Sequence, residues 1–375
     1  MAQLKTTKPA SGLAKPHLQL KQLRRSYGHQ TVVKDLDLHI AKGQFLALLG
    51  PSGCGKTTTL RMIAGFEQPD AGSIYLDEQL LADAHRSVPP EERGMGMVFQ
   101  SYALWPHMSV GDNVGYALKL RGVKGADYTR AIDQALEQVE LAEKRDAMPH
   151  QLSGGQKQRV ALARCIAAQP RVILLDEPLA NLDRHLRSTM ETAFRQLHRQ
   201  SGATFVYVTH DQAEAMALAD EIAVMHQGQL VQRASPQHIY RQPRTAWLAR
   251  FIGQGSVLKM EAAAPSANHA QGTGQCIGDS AWLHMAIAHA LPDSRKPQAE
   301  ILVRPEHVHV HAAGQGAGLP ARVLDCIFKG ERYALRLALA LPGAQELQAY
   351  SQQPFVVGSP VAIDIAQAWT LQSAA

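Results

Sequence analysis

The chain has little that would place it in a membrane or in an oxidising compartment. None of its apolar runs approaches the roughly 20 residues that a helical span needs, so any path across a membrane would come from another chain. The opening segment, MAQLKTTKPASGLAKP, has no apolar core of the signal-peptide kind, and residues 1–17 read as a short flexible tail. Cysteine is scarce, with four in 375 residues at 54, 165, 276 and 326. No two form a CxxC pair, which argues against a structural zinc site or a disulfide framework and fits a reducing cytosol. The formal charge of +5 is small for the length. It hints at an anionic partner, which nucleotide or acidic lipid satisfies as well as nucleic acid.

What is present has two textures, and the length accommodates two domains. From residue 18 to about 250, short apolar runs alternate with helix-like segments: QFLALLG (44–50), KTTTLRMIAGF (56–66), RVILLDEP (171–178) and ATFVYVTH (203–210). That alternation predicts an α/β core with a mostly parallel sheet. Residues 112–168 read as almost wholly helical, an insert on the sheet core spanning about 100–168. Over 251–375 the runs shorten and Gly and Pro separate them: EILVRPEHVHVH, ARVLDCIFKG, ERYALRLALA, PFVVG and PVAIDIA. These predict a small antiparallel β-barrel.

GPSGCGKTT (50–58) fits GxxxxGK[ST] after a buried strand and before a helix. Gly50, Gly53 and Gly55 allow the backbone to turn its N–H groups inward as an anion nest, and Pro51, Ser52, Cys54 and Thr58 complete the loop. The helix starting near Lys56 adds its positive end. Lys56 is placed to reach the β- and γ-phosphates of a nucleotide, and the Thr57 hydroxyl to ligate Mg²⁺. A thiol at Cys54, inside such a nest, is expected to have a depressed pKa and to be alkylated with loss of nucleotide hydrolysis unless the bound Mg²⁺–nucleotide protects it. By itself the motif leaves kinases, GTPases and helicases open.

LSGGQKQR (152–159) narrows the choice. Ser153 and Gln156 have the form of a capping box, and Val160, Ala163, Ile166 and Ala167 continue as an apolar helix face. Gly154 and Gly155, directly after the cap, leave bare N–H groups at a second phosphate-binding helix start. This segment resembles the signature of ABC (ATP-binding cassette) ATPases. The resemblance implies an α/β P-loop NTPase cassette with a helical subdomain over 18–250. It also implies a head-to-tail homodimer with two ATPs between the subunits.

Other parts of that pattern occur in the family's order. Asp176 and Glu177 end the run VILLDE, where the resemblance makes Asp176 an Mg²⁺ ligand and Glu177 the general base for the attacking water. His210, 34 residues beyond Asp176, resembles the histidine that contacts the γ-phosphate. Gln100 resembles the glutamine that senses Mg²⁺ and water beside the membrane-subunit contact, and Tyr27 the aromatic that stacks on adenine. NLD (181–183) resembles the loop that crosses the dimer interface, with Ala180 in place of its usual leading serine.

VRPEHV (303–308) and FKGERYALRL (328–337) resemble the TOBE-like barrel that follows the cassette in importer ATPases. The resemblance therefore implies a bacterial importer ATPase lying peripherally on the cytoplasmic face of the inner membrane. Its implied partners are two integral membrane permease subunits and, indirectly, an extracytoplasmic substrate-binding protein, with no nucleic acid. The stretch MVFQSYALWPHMSVGDNVGYALKL, with SPQHIYRQP (235–243), looks most like ferric iron importer ATPases; polyamine, sugar and phosphonate remain alternatives. A soluble cassette acting on nucleic acid or ribosomes is the alternative of a different class. It is disfavoured by the Ala, Leu and Val content of the barrel strands. His307, His309 and His311 at period 2 would share one strand face and suggest a metal row. A solvated face opposite buried Val308 and Val310 is the favoured reading.

Overall fold

The computed structural model describes residues 17–180, 182–261, 276–277, 298–313, 318–340 and 345–371. The tail therefore lies outside the described residues except for His17, as does Asn181 of the NLD segment. Contacts divide the chain into two compact units, 1–235 and 236–375.

In the first unit, β1 (Leu18–Tyr27) and β2 (Gln30–Ile40) pair antiparallel, and β3 (Phe45–Leu49) leads through the glycine-rich loop into α1 (Lys56–Ala64). Next come β4 (Ala71–Leu76), β5 (Gln79–Asp83) and β6 (Met95–Val98). The helical insert follows as α2 (Val110–Leu120), α3 (Gly125–Gln138) and α4 (Gly154–Ala167). The chain then returns through β7 (Val172–Asp176), α5 (Arg184–Ser201), β8 (Thr204–Thr209), α6 (Gln212–Leu218), β9 (Glu221–His226) and β10 (Gln229–Ala234). One sheet runs β2-β1-β4-β5 and is antiparallel; the other runs β10-β9-β3-β8-β7-β6. In the second sheet β9, β3, β8, β7 and β6 are parallel and β10 is an antiparallel edge.

The parallel strands carry uninterrupted apolar runs because both of their faces are covered. Along β7, Ile173 and Leu175 join one core while Val172 and Leu174 join the other. On β8 the same alternation sends Phe205 and Tyr207 one way and Val206 and Val208 the other. The first core contains Val160 and Leu162 of α4 with Met190 and Phe194 of α5; the second contains α1 and the antiparallel sheet. Parallel strands all end at one edge, so the loops after β3, β7 and β8 converge there, where ligands of open α/β sheets bind.

The second unit begins earlier than the expected boundary near 250. Helices α7 (Pro236–Arg241) and α8 (Ala246–Phe251) belong to it. Arg304, buried, explains why: its guanidinium donates to Tyr240 O and Ile252 O and lies 4.1 Å from the Tyr240 ring centroid. The rest is antiparallel β: β11 (Ser256–Glu261), β12 (Cys276–Ile277), β13 (Gln298–Val303), β14 (Val308–Ala312), β15 (Leu319–Phe328), β16 (Tyr333–Leu339), β17 (Glu346–Ser351), β18 (Pro360–Ile365) and β19 (Ala368–Thr370). They form a sheet β11-β13-β19-β12 and a sheet β14-β18-β15-β16-β17 around a core that includes Leu258, Ile301, Leu337 and Ile363.

Two sequence expectations change here. PFVVG (354–358) is a loop with Val356 and Val357 exposed, whereas the strand of that region is Glu346–Ser351. His307 closes a 3₁₀ turn, Pro305–His307, and does not join the strand. Only His309 and His311 stand on the exposed face of β14, opposite buried Val308. No group of three metal-ligating side chains forms among the described residues.

Candidate active site

The glycine-rich loop is shaped by two different demands. A Cβ at Gly50 would stand 2.2 Å from Met225 O and 2.7 Å from Cys54 Sγ, so close approach of the backbone excludes any side chain. Gly55 has φ +103°, and its Cβ would be 2.6 Å from Val32 O, so conformation and space both require glycine. Gly53, φ +78°, faces open space beside exposed Ser52. Lys56 is buried and folds back across the loop, donating from Nζ to Gly50 O at 2.8 Å and Pro51 O at 3.1 Å. Thr58 follows, half-buried, in the first turn of α1.

Cys54 differs from the expectation. It is 3% exposed, and burial pushes its thiol up; the opposing pull of the Lys56 charge and of backbone N–H groups is weaker. Its sulfur packs beneath Gly50 in the second core instead of facing the nest. Desolvation of a thiolate outweighs the helix end when the sulfur points inward.

Thr57 and Asp176 meet across the loop, with Thr57 Oγ1 donating to Asp176 Oδ1 at 3.1 Å. Burial pushes the Asp176 carboxyl up; the Thr57 hydrogen bond and the charges of Arg61 and Lys56 oppose this, and Glu177 reinforces it. Glu177 follows in the left-handed region, φ +44°, with its N–H donating to Val208 O at 3.0 Å. That conformation turns its side chain toward the end of β8, where Glu177 Oε2 lies 3.2 Å from His210 Nδ1.

Behind this pair is a polar cavity of about 90 Å³, lined also by Arg187, Thr209, Asp211 and Glu214. Arg187 Nη1 donates to Asp211 Oδ2 at 2.8 Å, and its Nε is 3.7 Å from Glu214 Oε1. Glu214 is buried and accepts from Tyr207 Oη at 2.8 Å and Thr209 Oγ1 at 2.7 Å. Burial pushes its carboxyl up against those two hydrogen bonds. Sequence reasoning did not find Arg187, Asp211 or Glu214. Asp211 and Glu214 carried a local signal as the cap and first turn of α6, whereas Arg187 arrives from α5 with none.

The remaining candidates stand apart. Ser153 caps α4, and the capping box closes on itself: Gln156 N donates to Ser153 Oγ at 3.3 Å and Ser153 N to Gln156 Oε1 at 2.9 Å. Gly154 is exposed, but a Cβ at Gly155 would meet the Leu186 side chain at 2.6 Å. The second glycine therefore serves packing of α4 on α5 as well as access to the N–H groups. Gln100 is exposed just beyond β6. Tyr27, 46% exposed at the end of β1, donates its hydroxyl to Glu67, and the Arg25 guanidinium lies 5.1 Å from its ring centroid.

Residues 33–180 match the family described as ABC transporter, and residues 301–371 match the TOBE domain. The spermidine/putrescine import ATP-binding protein PotA of Nitrosomonas europaea is 40% identical over 373 residues, covering 95% of this chain and 98% of that protein. The chain belongs to the ABC transporter family, as an import ATP-binding subunit with a TOBE domain. The Fe(3+) ions import ATP-binding protein FbpC 1 of Haemophilus influenzae is 42% identical over 302 residues, covering 80% of this chain and 87% of that one. Among solved structures, the dimeric ATP-binding cassette MJ0796, bound to ADP and Pi in a post-hydrolysis state, aligns with a TM-score of 0.52 at 29% identity. That alignment spans 58% of this chain and 98% of MJ0796. This ABC subunit is an ATPase whose hydrolysis serves transport, and no helix of its described residues is long and apolar enough to cross a membrane.

The donor set at Thr57 and Asp176 fits Mg²⁺. Hydroxyl and carboxylate oxygens suit a hard cation, and the desolvated Asp176 accepts one side-chain hydrogen bond, from Thr57. Two protein oxygens leave the other positions of an octahedral ion to phosphate and water, the usual arrangement at nucleotide sites.

Proposed function

We propose that two copies of this chain close head to tail over two ATPs, the P-loop of one facing the Ser153–Gln156 turn of the other. The observation that carries the hydrolytic part of this reading is the pairing of Glu177 with His210 at the strand edge where Thr57 and Asp176 also meet. Gly50–Thr58 holds the phosphates with backbone N–H groups, and Lys56 releases its two loop carbonyls to take up the β- and γ-oxygens. Glu177 polarises the attacking water and receives its proton, while His210 orients Glu177 and contacts the γ-phosphate. Mg²⁺ at Thr57 and Asp176, sensed by Gln100, would neutralise charge on the phosphates. Tyr27 stacks on the adenine after giving up its bond to Glu67. The self-contained hydrogen bonding of the signature turn supports a partner-subunit role, since that turn contributes no bond to its own P-loop among the described residues.

Two integral membrane permeases are the mechanical partners, docked near Gln100–Ser109, with an extracytoplasmic binding protein delivering cargo to them. The chain then lies peripherally on the cytoplasmic face of the bacterial inner membrane. For the cargo we propose ferric iron, supported by the 97–120 stretch and by the FbpC relative. A polyamine is the second reading, favoured by the PotA relative that spans nearly the whole chain. The test is a pull-down with tagged Glu177→Gln in MgATP from gently solubilised membranes. Recovery of polytopic membrane proteins is expected, and the ligand of a co-purifying binding protein identifies the cargo. Recovery of ribosomes or nucleic acid without a membrane partner would overturn the importer reading and leave the ATP site intact.

A further inference from the structure

The loop after Gln100 is held from two sides of the helical insert. Asn113, fully buried on α2, accepts from Trp105 N at 2.9 Å and donates to Trp105 O, Met108 O and Ser109 O at 3.1, 3.1 and 2.9 Å. Arg164, in the last turn of α4, holds the nearer part. Its Nη1 donates to Ala103 O at 2.6 Å and its Nη2 to Tyr102 O at 3.0 Å, and its guanidinium lies 4.9 Å from the Trp105 ring centroid. Trp105 in turn packs on Tyr116 of α2, ring centroids 4.3 Å apart.

Tyr102 and Ala103 are consecutive non-glycine residues in the left-handed region, at φ 62° and 45°. Such backbone persists only where its surroundings over-determine it, and Arg164 supplies that determination with one planar fork. On the other side half-buried Phe99 packs on Phe66, just past α1, with ring centroids 5.9 Å apart. Gln100 and Ser101, both exposed, lie between that aromatic contact and the residues held by the insert. The helix whose last turn carries Arg164 is capped at its other end by Ser153, so a tilt of α4 at its signature end displaces the carbonyls of Tyr102 and Ala103.

We propose that Arg164 is a positioning residue that couples the signature end of α4 to the loop 102–108, so that nucleotide engagement at Ser153 moves that loop. The inference rests on the sandwich-dimer reading above. The two-carbonyl fork and the stack on Trp105 need a guanidinium: lysine keeps the charge but offers neither.

The test uses the full chain in the Glu177→Gln background with MgATP, at protein concentrations below and above dimerisation, with molar mass followed by light scattering. Hydrogen exchange of the 102–108 amides is compared with that of 50–58. In the parent, dimer formation is expected to change exchange of 102–108 by at least about fivefold, the lower end of ordinary coupling between sites. In Arg164→Met that change disappears while the P-loop response stays within about twofold, and Arg164→Lys restores only part of it. If the Met variant does not fold, Trp105→Leu removes the stack on Arg164 and the ring contact with Tyr116 while leaving the guanidinium fork, and should weaken the 102–108 response selectively. A 102–108 response that survives in the variants, or a P-loop response that falls with it, would overturn the proposal. A parent that stays monomeric with MgATP removes the reading beneath it, and the inference with it.

Discussion

The P-loop and the Glu177–His210 corner follow adjacent strands of one sheet, yet they are built by opposite means. The P-loop is backbone: glycine at 50 and 55 because any Cβ would collide, and a lysine whose side-chain hydrogen bonds among the described residues go to loop carbonyls. The other corner is side chain: Glu177, His210, Arg187, Asp211 and Glu214 gathered from two strand ends and two helices around a small polar cavity. A backbone site depends on shape, and its failures are steric. A side-chain site depends on charge and protonation, so its failures are chemical and pH-dependent.

The largest effect should separate the two. Glu177→Gln is expected to lower the ATPase kcat by at least about 100-fold, the scale of a lost general base, with ATP binding retained, as single-turnover hydrolysis and nucleotide binding would report. Gly55→Ala should act through shape. Its positive φ and the 2.6 Å approach to Val32 O predict a loss of roughly 3 kcal/mol of stability together with weakened ATP binding, read by denaturant unfolding and nucleotide titration.

Arg93 tests the far end of the P-loop helix. It is 1% exposed, and burial pushes its guanidinium down to about 10. It donates to Met62 O at 2.8 Å and Ile63 O at 2.7 Å, two C-terminal carbonyls of α1, and to Val88 O at 2.8 Å in the loop before β6. Arg93→Met should lower stability by about 3 kcal/mol because those buried carbonyls lose their donor, with a fall in Tm and little change in kcat of the folded fraction.

At the side-chain corner the sign of the pH dependence follows from Glu214. Burial holds its carboxyl above the ordinary 4.5, so the folded chain binds that proton more tightly than the unfolded one. Its contribution to stability is therefore greatest below pH 4.5, declines as pH rises through the folded value, and stays reduced above it. Glu214→Gln should flatten that decline in a Tm-against-pH series, whereas Gly55→Ala should shift the series without changing its slope. The smallest effect is at Cys54. Buried, with its thiol pushed up, it should label slowly with iodoacetamide in the native state, at a rate MgATP does not alter, as mass spectrometry would show.

Much of this architecture was legible from local signals. The runs ending at Leu49, Asp176 and Thr209 read as buried strands because covering on both faces leaves no polar alternation to confuse them. The Ser153 capping box and the P-loop glycines are short-range features, fixed by a few neighbouring residues. Where the reading went astray, the deciding contact was distant in sequence. Arg304 draws α7 and α8 into the second unit from 64 and 52 residues away, at Tyr240 and Ile252, moving the boundary to Ser235. His307 is the exception, because its cause is local: Pro305 opens a 3₁₀ turn that keeps His307 out of the strand.

The sequence by itself determined the α/β order, the glycine spacing of the P-loop and membership of the ABC family, because each depends on residue type at fixed spacing. Tertiary structure alone decided that Cys54 points into the core, that Arg187 joins Asp211 and Glu214 behind the Glu177–His210 corner, and that Arg164 grips the loop after Gln100. Each of those depends on where a side chain ends once distant segments have packed, and burial then sets its charge, its reactivity and the partner it holds.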